Sequence, residues 1–274
     1  MKSVEGKIVL VTGAAMGLGR LFAETAVKER AAHVVLWDIN EGALKDTAAE
    51  LEAAGGTVST NVVDVSSAES IGKAAEQVRS EVGVVHVLFN NAGIVRGNGY
   101  FWENKTRDVE QTMLINGVGP MLVAREFLAG MVESGEECRV VNIASSAGLN
   151  AVPRLAAYCG SKWAATGWSD SVRLELEQAG HKHVRVTTVC PTYINTGMFD
   201  GAKGILLTPM LKQEDVVADS WKAMLRGIPF VILPWTSKLN KVVSGVLPTR
   251  ARDIWLRRTG VYDSMAEFTG HVDK

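Results

Sequence analysis

The chain has 274 residues, with 29 Lys+Arg against 30 Asp+Glu, a net charge of -1 and 47% hydrophobic residues. That balance offers no positive field to a phosphate polymer, so nucleic acid is excluded as a partner. No run approaches the ~18 consecutive apolar residues of a membrane-spanning helix, and residues 1–7 lack the apolar core of a signal peptide, so a cytoplasmic protein is expected.

Short apolar, β-branched runs at 8–11, 33–37, 57–63, 85–89, 139–143, 184–189 and 230–233 predict strands. Between the first two, Leu18, Leu21, Phe22, Thr25 and Ala26 recur at helical spacing, and 43–54, 68–82, 108–132 and 156–178 repeat the pattern. Continuous hydrophobic strands alternating with helices imply right-handed crossovers and a sheet covered on both faces. The expected fold is a single α/β domain over 1–274, a doubly wound parallel sheet of about seven strands. Beyond Pro191 the alternation weakens. Residues 191–215 read as an irregular lid and 234–274 as a basic helical tail, either a solvated face, a subunit contact or a peripheral membrane contact. Cys138, Cys159 and Cys190 form no Cys-x-x-Cys pair and read as buried thiols. His181 and His183 lack an acidic or cysteine partner nearby, so no metal site is expected.

The first strand runs into Thr12-Gly13-Ala14-Ala15-Met16-Gly17-Leu18-Gly19 and then a helix. Glycines let backbone N–H groups close on an anion, and a helix N-terminus adds positive partial charge. Gly13, Met16, Gly17, Leu18 and Gly19 are therefore candidates for holding a pyrophosphate, the alternative being a tight turn alone. Asp38 closes the second strand nineteen residues beyond Gly19, where a carboxylate meets the adenosine ribose. It would repel a 2′-phosphate, and Met16 supplies no cation, so NAD is expected over NADP. Its other reading is a helix cap.

Tyr158 and Lys162 stand four apart in a helical segment and share a face. A phenol is a poor base at neutral pH, and bringing it from about 10 to about 7 takes roughly 4 kcal/mol, which a lysine ammonium and an oxidised nicotinamide could supply. Ser145 follows a strand at the carboxyl edge of the sheet, where it could hold a substrate oxygen or merely cap the chain.

Together these residues resemble the short-chain dehydrogenase/reductase family, with Asp64-Val65, Asn90-Asn91-Ala92-Gly93, Asn116 and Pro191 to Thr196 completing the motifs in order. The resemblance implies that Asp64 and Val65 hold the adenine. It places Asn90, Asn91, Ala92 and Gly93 beside the cofactor, and Pro191, Ile194 and Thr196 at the nicotinamide. Asn116 would hold a water in a proton relay with Ser145, Tyr158 and Lys162. It also implies a homodimer or homotetramer through two long helices. Leu36-Trp37-Asp38-Ile39-Asn40 and 194–199 are similar to the 17-beta-hydroxysteroid and retinol dehydrogenase branch. Two departures stand out: the N-terminal hydrophobic segment of its membrane-anchored members has no counterpart, and Pro191-Thr192 replaces the usual Pro-Gly.

Met198, Phe199, Ile205, Leu206, Leu207, Met210 and Leu211 make the lid apolar, so the expected substrate is a hydrophobic secondary alcohol or its ketone. Two alternatives are a reductase of oxoacyl thioesters, with Lys203 and Lys212 as a thin docking patch, and an NAD(H) sensor without turnover. Tyr100, Phe101 and Trp102 either border the pocket or anchor a loop.

Overall fold

The computed structural model describes residues 1–97, 99–196, 198, 201, 205 and 208–268. Phe199, Lys203, Leu206, Leu207 and the end of the tail, 269–274, lie outside these described residues.

The strands are β1 (Ile8–Thr12), β2 (His33–Asp38), β3 (Val58–Val62), β4 (Val87–Asn90), β5 (Cys138–Ile143), β6 (Val184–Pro191) and β7 (Phe230–Leu233). They form one parallel seven-stranded sheet in the order β3-β2-β1-β4-β5-β6-β7. Strand order reverses between β1 and β4, which opens a crevice at their carboxyl ends.

Alternate strand residues feed two cores. Val9, Val11, Val34, Leu36 and Phe89 pack on one side against α1 (Gly17–Lys28), α2 (Glu41–Ala53) and α7 (Gln213–Arg226). There Phe89 lies between Phe22 and Trp221, with ring centroids 4.4 and 5.5 Å away. Leu10, Val35, Trp37 and Leu88 face the other side, against α3 (Ala68–Glu81), α5 (Gly119–Ser134) and α6 (Ala156–Gln178). Both faces of the central strands are thus dry, which is why they read as uninterrupted apolar runs.

The helix expected over 108–132 is broken into α4 (Thr106–Met113), a π-helical turn (Leu114–Val118) and α5. Pro120 is the physical reason. A regular helix would bond its N–H to the Asn116 carbonyl, and proline has no N–H. The sequence reading also left out α7, although Glu214 and Asp215 mark its start and Gly227, with φ +66°, its stop. After β7 come α8 (Trp235–Val246) and α9 (Thr249–Arg258). The chain then returns across the catalytic face. Met265 and Phe268 are buried among Leu155, Tyr158 and Cys159, so these residues of the tail form an apolar cover rather than a wholly solvated or basic segment. No helix among the described residues is long and apolar enough to cross a membrane.

Candidate active site

A cleft of about 1090 Å³ runs along the carboxyl edge of the sheet, and nearly every residue expected at a cofactor borders it. At one end stands the glycine turn. Gly13 and Gly17 have φ of +65° and +56°, and a Cβ on Gly19 would lie 2.0 Å from the Gly13 carbonyl oxygen. Asn91, just after β4, fastens this turn, its Nδ2 donating to the carbonyls of Thr12 and Gly13 at 3.0 and 3.1 Å. The Thr12 hydroxyl accepts from the N–H groups of Asn91 and Ala92.

The start of α1 differs from that of its neighbours. Asn40 and Ser67 cap α2 and α3 with side-chain oxygens. The α1 N-cap, Met16, provides no such bond, and the first turn of α1 carries no acidic residue. Its N–H groups are therefore left for an anion in the cleft. Asp38 lies beside them. One carboxylate oxygen accepts from Ala15 N at 3.0 Å and the other from Asn40 N at 3.0 Å, while the cap of α2 is Asn40. Asp38 thus joins the glycine turn to the strand end, and each oxygen keeps acceptor capacity for a ribose hydroxyl. An anion-receptive helix start beside a half-buried carboxylate suits a dinucleotide.

Further along, Asp64 and Val65 border the cleft. One Asp64 oxygen is taken by the N–H and hydroxyl of Ser66. Pro191, Ile194 and Thr196 also line it. Asn90 is a correction. It does not border the cleft: it is buried in the sheet, donating to Pro120 O and to Asn142 Oδ1, which leads on to Ser169 and Thr188. That chain of amides and hydroxyls fixes β4, β5, β6 and α6 beneath the site.

Tyr158 and Lys162 rise from the first turns of α6, both 5% exposed. Tyr158 shares a hydrogen bond with the Ser145 side chain, and the Ser145 Oγ also accepts from Ala147 N at 3.1 Å. The capping reading of Ser145 is seen in that bond, which also orients the hydroxyl. Lys162 Nζ donates to Ile143 O at 2.9 Å and lies 5.7 Å from the centre of the Tyr158 ring. Asn116, in the π turn, pairs both amide atoms with the backbone of Ile94 at 2.8 Å and donates to Ser161 Oγ. Ser161 in turn donates to Tyr158 O.

Burial pushes the Tyr158 phenol above its ordinary value, only partly offset by the Ser145 hydrogen bond. Burial also lowers Lys162, to about 8. The protein alone keeps Tyr158 protonated, so the charge that makes it a base must arrive with a ligand.

Beside Tyr158 and Ser145 is a second, smaller cavity of about 40 Å³, bordered by Val152, Leu155, Tyr193, Leu256 and Val261. It has space for a few water-sized groups. Ile205 borders it, Met198 packs with Tyr158, Met210 is exposed and Leu211 joins the main core. Tyr100 and Trp102 stack at 4.8 Å with Arg154 over Tyr100, which anchors their loop.

Sequence reasoning missed several residues here. Thr192 borders both cavities with a buried hydroxyl that has no hydrogen-bond partner; the signal was its departure from Pro-Gly. Gln213 borders the cleft and ties α7 to Asn195 O. Gly148 allows the 3-10 turn Ser146–Gly148 to touch α6, since a Cβ there would lie 2.6 Å from Lys162 O. Phe268 had no local signal at all.

A doubly wound sheet with a dinucleotide-shaped cleft and a buried Tyr-Lys pair defines a nucleotide-dependent oxidoreductase. Residues 7–203 match the family described as short chain dehydrogenase, and the chain belongs to it. It is 37% identical to estradiol 17-beta-dehydrogenase 11 of Rattus norvegicus over 274 residues, covering 100% of this chain and 90% of the relative. Retinol dehydrogenase 10-B of Danio rerio is 35% identical over 271 residues, covering 90% and 80%. Among solved structures, a short chain dehydrogenase/reductase from Burkholderia phymatum in complex with NAD superposes with a TM-score of 0.82 at 28% identity, over 94% of this chain and 97% of that one.

Proposed function

We propose that the chain interconverts a hydrophobic secondary alcohol, of steroid, retinoid or long-chain lipid type, and its ketone with NAD. The observation that carries the reading is the meeting of Ser145, Tyr158, Lys162 and Asp38 on one cleft, beside the uncapped start of α1. NAD in its relative from Burkholderia, and the estradiol and retinol in the relatives' names, support cofactor and substrate class.

When bound, NAD supplies the hydride acceptor at the nicotinamide. The chain's own groups do the rest. The first turn of α1 with Gly13, Met16, Gly17, Leu18 and Gly19 holds the pyrophosphate, and Asp38 accepts from the ribose hydroxyls. Asp64 and Val65 border the adenine, Asn91, Ala92 and Gly93 form the cleft wall, and Pro191, Ile194 and Thr196 face the nicotinamide. Ser145 Oγ holds the substrate oxygen while Tyr158 Oη takes its proton. Lys162, charged below about pH 8, stabilises the phenolate and donates to the ribose. Asn116 holds a relay water.

Residues 1–274 act as one catalytic domain with 191–215 as the substrate lid. A cytoplasmic homodimer or homotetramer fits the exposed Leu114, Val118 and Trp163 along the α4 to α6 helices. The test is an NAD-linked absorbance screen of steroid, retinoid and long-chain secondary alcohols, repeated with NADP. Turnover is expected with NAD, and Asp38→Ala should narrow the preference over NADP by about tenfold or more, as removing one close like-charge repulsion predicts. A wild-type preference for NADP overturns the role of Asp38. NAD binding without turnover of any alcohol would make the protein a sensor.

Thr192 yields a separate expectation. Thr192→Val keeps shape but removes the unpartnered hydroxyl, so stability should hold or rise by about 1 kcal/mol, read as Tm. If the hydroxyl meets the substrate, KM rises severalfold with kcat changed less.

A further inference from the structure

Helix α8 is turned inside out. Trp235, Leu239, Val242 and Val246 follow the i, i+4, i+7, i+11 spacing of one helix face, and they are 71%, 51%, 63% and 78% exposed. The opposite face carries Ser237 and Asn240, which border the small cavity beside Tyr158, and Ser244, whose buried hydroxyl has no partner. A surface helix of a globular protein normally does the reverse, burying its apolar stripe and wetting its polar one. Exposing an indole and three aliphatic side chains in a row is costly in water.

Charge indicates what covers them. Residues 235–258 contain six cations, Lys238, Lys241, Arg250, Arg252, Arg257 and Arg258, against the single carboxylate of Asp253, which pairs with Arg252. The whole chain has a net charge of -1, so this positive excess is local. Trp255 Nε1 donates to Asn240 Oδ1 at 3.0 Å, fastening α9 to α8, and Ile254 adds a further exposed apolar side chain. A second copy seated by two-fold symmetry would bring these cations against themselves. An apolar stripe with tryptophan, flanked by lysine and arginine, instead matches the headgroup boundary of an anionic bilayer.

We propose that α8 and α9 form a docking surface for an anionic phospholipid membrane, and that apolar substrate reaches the site from that side, through the helix that separates lipid from cavity. The second half rests on the alcohol reading; the first does not. The full chain is sedimented with phosphatidylcholine vesicles, with and without phosphatidylserine. Wild type should pellet with the phosphatidylserine vesicles, and Trp235→Ser/Leu239→Ser/Val242→Ser should bind about tenfold more weakly or worse, given the apolar area removed. Lys238→Glu/Arg250→Glu should lose the preference for phosphatidylserine. Neither variant touches the cleft, so turnover of a short, water-soluble secondary alkanol should persist. Turnover of a long-chain alkanol dissolved in the vesicles should fall with binding.

Wild type remaining in the supernatant with both vesicles overturns the docking surface, as does a stripe variant that pellets like wild type. A wild-type dimer that the stripe variant dissolves, with no vesicle binding, assigns the face to a second copy and overturns it equally. Vesicle binding as expected with no alkanol turned over leaves the docking surface standing and sinks the alcohol reading instead.

Discussion

Tyr158→Phe should lower kcat by about 10² to 10⁴, the usual loss when a general base is removed, while NAD affinity measured by calorimetry stays within about twofold. The two effects separate because the hydroxyl is the only atom removed. The ring stays packed among Leu155, Cys159 and Met265, and the Ser145 hydroxyl keeps its bond from Ala147 N. The free enzyme has a buried, protonated phenol next to a buried lysine at about 8. As pH rises through about 8 the ammonium is lost, so kcat/KM for NAD, which reports the cofactor-free enzyme, should bend downward there. Lys162→Met should lower the rate at every pH and abolish that bend. Full turnover by Tyr158→Phe would remove the proton-transfer role. A bend that survives in Lys162→Met would belong to another group.

What the sequence disclosed follows from the range of each physical signal. Strand positions were legible because both faces of the central sheet are buried, so Val9, Leu10 and Val11 are apolar without alternation although they serve two different cores. The glycine turn, Asp38 and Ser145 were legible because each sits at a strand end, which topology makes a ligand edge. Other features depended on distant partners. Asn90 reads as part of a cofactor motif, but its Nδ2 is spent on Pro120 and Asn142 within the sheet. The π turn is caused by one missing N–H inside an otherwise helical pattern. The upward shift of Tyr158 in the cofactor-free chain was not legible because spacing shows a lysine four residues away, whereas burial of the phenol depends in part on Met265 and Phe268 arriving from the far end of the chain.

The second large effect concerns Gly19. Gly19→Ala would place a methyl 2.0 Å from the Gly13 carbonyl oxygen, 2.7 Å from its carbon and 2.6 Å from Asn91 Nδ2. None of these can yield cheaply. The Gly13 carbonyl accepts from Asn91 at 3.1 Å, and Gly13 is itself so close to Ala92 that a Cβ on it would meet the Ala92 Cα at 2.9 Å. The clash therefore propagates from α1 through the turn into the segment after β4, and overpacking of this kind costs about 1–3 kcal/mol or more. It also moves the N–H groups that would face the pyrophosphate, so NAD affinity should fall by about tenfold or more. Gly72→Ala is the control. It lies within α3 with nothing inside 4 Å of the added methyl, and should raise stability by about 0.5–1 kcal/mol through helix propensity without altering NAD binding. Thermal melts with and without NAD read both quantities. If Gly19→Ala melts like wild type and gains the same stabilisation from NAD, the turn does not hold the pyrophosphate, and the cofactor's place in the cleft must be sought elsewhere.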